Sequence, residues 1–171
     1  KEISPIELIE SHLRRADEID PKLGIFITRI SEQAVDVARK AENAVMRGDD
    51  LGPLHGIPVP VKDTEPMAGV TWTRGSLPHK HSIADSDSIP VVRLKAAGAV
   101  ITGKTNTPEF GISATTENKL GDDCRNPWNP SCKSTKKGTG RSCRSGALGS
   151  NTGTCRRLTP PVLPGCCPPL K

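Results

Sequence analysis

The chain has 171 residues, 34% of them hydrophobic and 25% charged, with a net charge of +5. That length suffices for one domain with a real core, and the composition suits a globular protein. Aromatic residues number only four (Trp72, Trp128, Phe26, Phe110), which argues against stacking platforms for single-stranded nucleic acid. No apolar run is long enough for a transmembrane helix, and no charged-then-apolar leader opens the sequence. The expected location is therefore the cytoplasm, with no membrane partner. The initial Lys1 suggests a chain that starts partway into a longer one.

The net charge hides an asymmetry. Residues 1–118 carry 14 basic and 17 acidic residues, net −3, whereas residues 119–171 carry 10 basic and 2 acidic, net +8. No Asp or Glu follows Asp123, and all six cysteines lie at or after Cys124. This change of chemistry places a boundary near residue 125, separating a patterned region, 1–125, from a basic Cys/Pro-rich tail, 126–171.

A first helix is predicted from Ser4, which can cap it, with Pro5 at the first helical position and Glu7 completing a capping box. Ile6, Ile9, Leu13 and Ala16 repeat at helical spacing, and Asp20-Pro21 is expected to stop the pattern. A second helix follows Ser31, with Ala34, Val37, Ala38, Ala41 and Val45 on one face and Gly48 at its end. Residues 52–63 read as a turn and a short strand. Pro58 and Pro60 would confine that strand to a sheet edge, because each lacks a backbone donor.

Asp87 is the expected cap of a third helix through Val91, Val92, Leu94 and Ala96, closed by Gly98. Ala99 to Gly103 follows as an apolar strand, which makes a parallel βαβ unit and an α/β architecture. Thr107-Pro108-Glu109 should start another short helix. After Asn126-Pro127-Trp128-Asn129-Pro130 the periodicity stops. Neither 131–146 nor 158–171 offers enough apolar surface to offset its ordering entropy, so the tail is expected to be disordered.

Several segments then match a family in order. Leu54 to Asp63 reads LHGIPVPVKD, Arg93 to Gly111 reads RLKAAGAVITGKTNTPEFG, Glu117 to Ser131 reads ENKLGDDCRNPWNPS, and Ala147 to Gly153 reads ALGSNTG. Together with the leading SPIELIESHLRRADEIDPKL they resemble the N-terminal part of the amidase-signature enzymes, over residues 1–131 almost without gaps. Family domains are much longer, so a truncated form of that fold is implied: a mixed sheet with surrounding helices, lacking the substrate-binding half.

The resemblance implies hydrolysis of a small-molecule carboxylic amide to acid and ammonia or amine, by a Ser–cis-Ser–Lys triad without metal or cofactor. Lys62 matches the catalytic lysine. Such a lysine is a base only when its surroundings favour the neutral amine, and a serine needs such a base to become nucleophilic. The serine motifs depart from the pattern. Where a Gly-Gly-Ser-Ser-Gly-Gly loop is expected, the chain has Lys136-Lys137-Gly138-Thr139-Gly140-Arg141-Ser142-Cys143. Spacing puts the bridging serine near Lys137, and local similarity puts it at Ser142.

The nucleophile motif becomes Thr152-Gly153-Thr154-Cys155, so Cys155 stands where a serine should, and Thr152, Gly153 and Thr154 occupy the oxyanion-binding turn. The chain is thus expected to be a truncated or inactive member. A reading-frame shift is one origin for the altered tail. Two other readings fit the same residues: a non-catalytic protein whose basic tail binds anionic partners without nucleic-acid specificity, or a translated remnant without function. The cysteines show no C-x-x-C and no neighbouring histidine, which argues against zinc.

Overall fold

The computed structural model describes residues 3–121 and 123–133. Helix α1 (Pro5–Leu23) begins as expected. The Ser4 hydroxyl accepts from the Glu7 N–H at 3.2 Å, and the Ser4 N–H donates to the Glu7 carboxylate at 2.9 Å. Ile9, Leu13 and Ala16 are its buried residues. The expected stop at Asp20-Pro21 is corrected: the helix runs through Pro21 and closes at Gly24, φ 60°. A proline in the last turn removes one donor, and Asp20 anchors the chain that leaves the helix. Its side chain accepts from Ile25 and Phe26 N–H, and its carbonyl accepts from Gly24.

Strand β1 (Phe26–Arg29), which the sequence pattern does not announce, lies between α1 and α2 (Ser31–Arg47). In α2 the buried positions are Ala34, Ala38 and Ala41. Val37, expected on that face, is exposed, because the close approach to α1 and the sheet selects the alanine stripe. Strand β2 (Pro58–Lys62) sits at a sheet edge, as its prolines require. Helix α3 (Ile89–Ala96) starts from Ser88 rather than Asp87. The Asp87 carboxylate instead accepts from Ala68 N–H at 2.8 Å and from Lys95 Nζ at 2.7 Å, and so ties the preceding loop to the helix.

Strand β3 (Val100–Thr105) occupies the middle of a three-stranded mixed sheet, order β1-β3-β2. It runs parallel to β2 and antiparallel to β1. Successive residues of a strand point to opposite faces, and here they serve two cores. Val100 packs with Ile9, Leu13, Ala34 and Ala38 beneath α1 and α2. Ile101 packs with Val61, Met67, Val70 and Val91 beneath α3. The chain is therefore α/β, with helices on both faces of a mixed sheet.

The helix expected from Thr107 is only a 3-10 turn, Glu109–Gly111, because Phe110 leaves the helical region at φ 50°. A small antiparallel pair, β4 (Arg125–Asn126) and β5 (Asn129–Lys133), spans the expected boundary at 125/126. The remainder of the tail lies outside the described residues.

Candidate active site

Lys62 is the last residue of β2 and pairs in register with Thr105 of β3. Ligand sites of α/β sheets gather at the C-terminal ends of parallel strands, and Lys62 stands at such an end. It is half-buried. Its Nζ lies 3.4 Å from the position that a Cβ on Gly111 would occupy, with Thr64 Cγ2 at 3.3 Å from the same point. Gly111 has φ 71°, where a side chain would be strained. A glycine therefore lets the turn after β3 close over the lysine Nζ.

The next residue, Asp63, points the other way and is fully buried. One carboxylate oxygen, Oδ2, accepts from the Thr73 N–H at 3.0 Å and from the Thr73 hydroxyl. The other, Oδ1, lies 3.3 Å from Nζ of Lys104, which is itself completely buried. That contact is an ion pair by distance without hydrogen-bond alignment. The ammonium instead donates to the Glu65 carbonyl. Burial holds Lys104 below the usual lysine value, against the opposing pull of Asp63 and Glu65. The Lys-Asp dipeptide thus has Lys62 half-buried beside Gly111 and Asp63 locked into the floor beneath it.

The motif residues after β3 fix the loop by hydrogen bonds. Asn118 Nδ2 donates to the Asn106 side chain at 2.6 Å and to the Thr107 carbonyl at 2.8 Å, and Asn106 Nδ2 donates to the Gly24 carbonyl at 3.0 Å. Opposite this loop, the Arg74 carbonyl accepts from the Phe110 N–H at 2.7 Å. Both residues have positive φ, 58° and 50°. A non-glycine residue there costs about 1–3 kcal/mol and persists only where its surroundings impose it. Gly75 contributes to that constraint. A Cβ on it would fall 2.6 Å from the Thr107 carbonyl oxygen, so the two loops touch backbone to backbone.

Of the residues expected at the site, Lys62 is described, at the end of β2. Ser142, Thr152, Gly153, Thr154 and Cys155 lie outside the described residues. Lys104, Asp63 and Arg74 are not singled out by the sequence. Lys104 lies inside a matched segment, yet a lysine in a short apolar strand is not distinguishable there from a solvated end.

The amidase family matches residues 7–135. A glutamyl-tRNA(Gln) amidotransferase subunit from Carboxydothermus hydrogenoformans is 38% identical over 161 residues, covering 90% of this chain and 33% of that protein. An indoleacetamide hydrolase from Bradyrhizobium diazoefficiens is 37% identical, covering 84% of this chain and 28% of its own length. The crystal structure of a bacterial aryl acylamidase of the amidase-signature family superposes with a TM-score of 0.71 at 29% identity, over 75% of this chain and 27% of that one. The chain spans about a third or less of these relatives, and no helix among its described residues is long and apolar enough to cross a membrane. Motif order, a mixed sheet ending at Lys62 and the match over most of its length make this chain a member of the amidase-signature family, corresponding to the N-terminal part.

Proposed function

We propose that the chain carries the lysine half of an amide-hydrolase site and does not by itself hydrolyse amides. The reaction of the complete site would be cleavage of a small-molecule carboxylic amide to acid and ammonia or amine. In that reaction Lys62, through a bridging serine, would take the proton of a nucleophilic serine. The observation that carries the lysine part is the end of β2: Lys62 lies half-buried at the C-terminal end of a parallel strand beside Gly111, while Asp63 behind it is locked by Thr73 and Lys104. The observation that carries the inactivity is in the sequence, where Lys137 or Ser142 and Cys155 stand at the family's serine positions. An indoleacetamide hydrolase and an aryl acylamidase are among the relatives, which supports amide substrates. The cytoplasmic location expected from the sequence belongs to the same reading.

A chimera tests the lysine part. Residues 1–130 are joined to the remainder of an active family member, so that both serine motifs are restored. The expected result is amide turnover that disappears when Lys62→Ala is introduced. A soluble, folded chimera whose turnover is indifferent to Lys62→Ala would refute the assignment of Lys62.

A further inference from the structure

Arg74 stands on the rim of the Lys62 face, with no acidic partner among the described residues. Its guanidinium lies over the Trp72 ring, 3.8 Å from Cζ to the ring centroid. Trp72 is pinned in turn, its indole N–H donating to the Thr64 carbonyl at 3.2 Å and its backbone N–H to the Ser82 carbonyl at 2.8 Å. The Arg74 backbone is held at φ 58° by the Phe110 N–H on its carbonyl. Trp72 therefore ties the arginine to Thr64, and Phe110 ties it to Gly111, the two residues that flank Lys62 Nζ.

The arginine lacks what a structural arginine has. Its Nε is buried and finds no acceptor among the described residues. The acids nearby are engaged elsewhere. Glu109 accepts from the Ser76 hydroxyl at 2.7 Å, and Asp63 accepts from Thr73 and faces Lys104. After Asp123 the sequence contains no Asp or Glu, so the basic stretch offers no acidic side chain. A buried, unsatisfied donor on a charged group calls for a partner, and a planar guanidinium already fixed against a ring matches a carboxylate bidentately.

We propose that Arg74 binds the carboxylate of an anionic ligand, so that the amides recognised on this face carry a carboxylate. The statement about amides rests on the reading of Lys62 given above; the anion site itself does not.

The test is an NMR titration of the full chain, following the Arg74 Nε–H and Trp72 indole N–H signals. The probes are succinamate, an anionic monoamide, and succinamide, its neutral diamide, at matched ionic strength. Saturable shifts are expected with succinamate alone. Arg74→Gln should weaken binding about tenfold or more, as loss of a charge-assisted contact does. Arg74→Lys, which keeps the charge and loses the fork, should fall between. Arg39→Gln, on the exposed side of α2, should bind as the parent does. An equal response to succinamide, an unchanged affinity in Arg74→Gln or Arg74→Lys, or an equal loss in Arg39→Gln would each overturn the proposal. A folded, active chimera indifferent to Lys62→Ala would sink the Lys62 reading and leave this titration standing, which separates the two.

Discussion

The floor and the rim of the Lys62 face are built on opposite rules. In the floor, Asp63, Thr73 and Lys104 are all buried and satisfy one another's charge or hydrogen-bonding capacity, apart from one poorly aligned carboxylate oxygen. On the rim, Arg74 and Phe110 hold strained backbone, Arg74 keeps an orphan donor, and Phe110 and Ile112 expose apolar side chains. Groups that only maintain a fold are expected to be paired and relaxed. Strain and unmet polar capacity collect where a ligand completes the site. The floor is thus a structural base that holds the end of β2, and the rim carries the unmet capacity on which the proposed carboxylate site rests.

The largest effect should come from breaking the floor. Lys104→Met leaves Asp63 buried with an uncompensated charge, and unpairing such a group costs about 3–5 kcal/mol. Urea unfolding should read that loss, and adding Asp63→Asn should recover most of it. Arg74→Gln on the rim, which loses the stack on Trp72, should cost only about 1 kcal/mol. Equal losses at the two sites would abolish the distinction between floor and rim.

Gly111→Ala lies between them. The φ of 71° opposes a side chain by about 1–2 kcal/mol, and the new Cβ would meet Thr64 Cγ2 at 3.3 Å. The same unfolding measurement should show the loss, together with altered amide signals at Lys62 and Thr64. Stability and spectra identical to the parent would mean that the turn does not press on Lys62.

The smallest effect is one of pH and lies away from the face. His12 Nε2 sits 3.3 Å from the Thr102 hydroxyl beneath α1, and burial, with Arg29 nearby, holds it below its usual 6.5. The native state then binds fewer protons than the unfolded chain just below that value. Stability should be fully present above pH 6.5 and decline as pH falls through the lowered value. His12→Gln should flatten the decline. A decline of the same size in the variant would assign it to other groups.

How much of this is legible in the sequence follows from where each signal resides. The start of α1 is readable because a capping box is local, and the edge position of β2 because proline advertises a missing donor. Strand β1 escapes because its four residues are all half-buried and show no alternation. The end of α1 is misplaced because Asp20 caps the residues after the helix, which a Pro21-based stop rule does not see. Lys62 comes from motif order. Lys104 and Arg74 are invisible, since burial of the one and isolation of the other depend on partners distant in sequence or in loops without pattern: Asp63 for Lys104, Trp72 and Phe110 for Arg74.

A chain with the lysine side of an amidase site and without the serine side should be inert on amides. Assaying the purified chain on simple aliphatic and aryl amides beside its Lys62→Ala variant reads this, and no turnover above background is expected for either protein. Turnover by the parent that Lys62→Ala abolishes would contradict this and would show that Cys155 or another residue supplies the missing nucleophile.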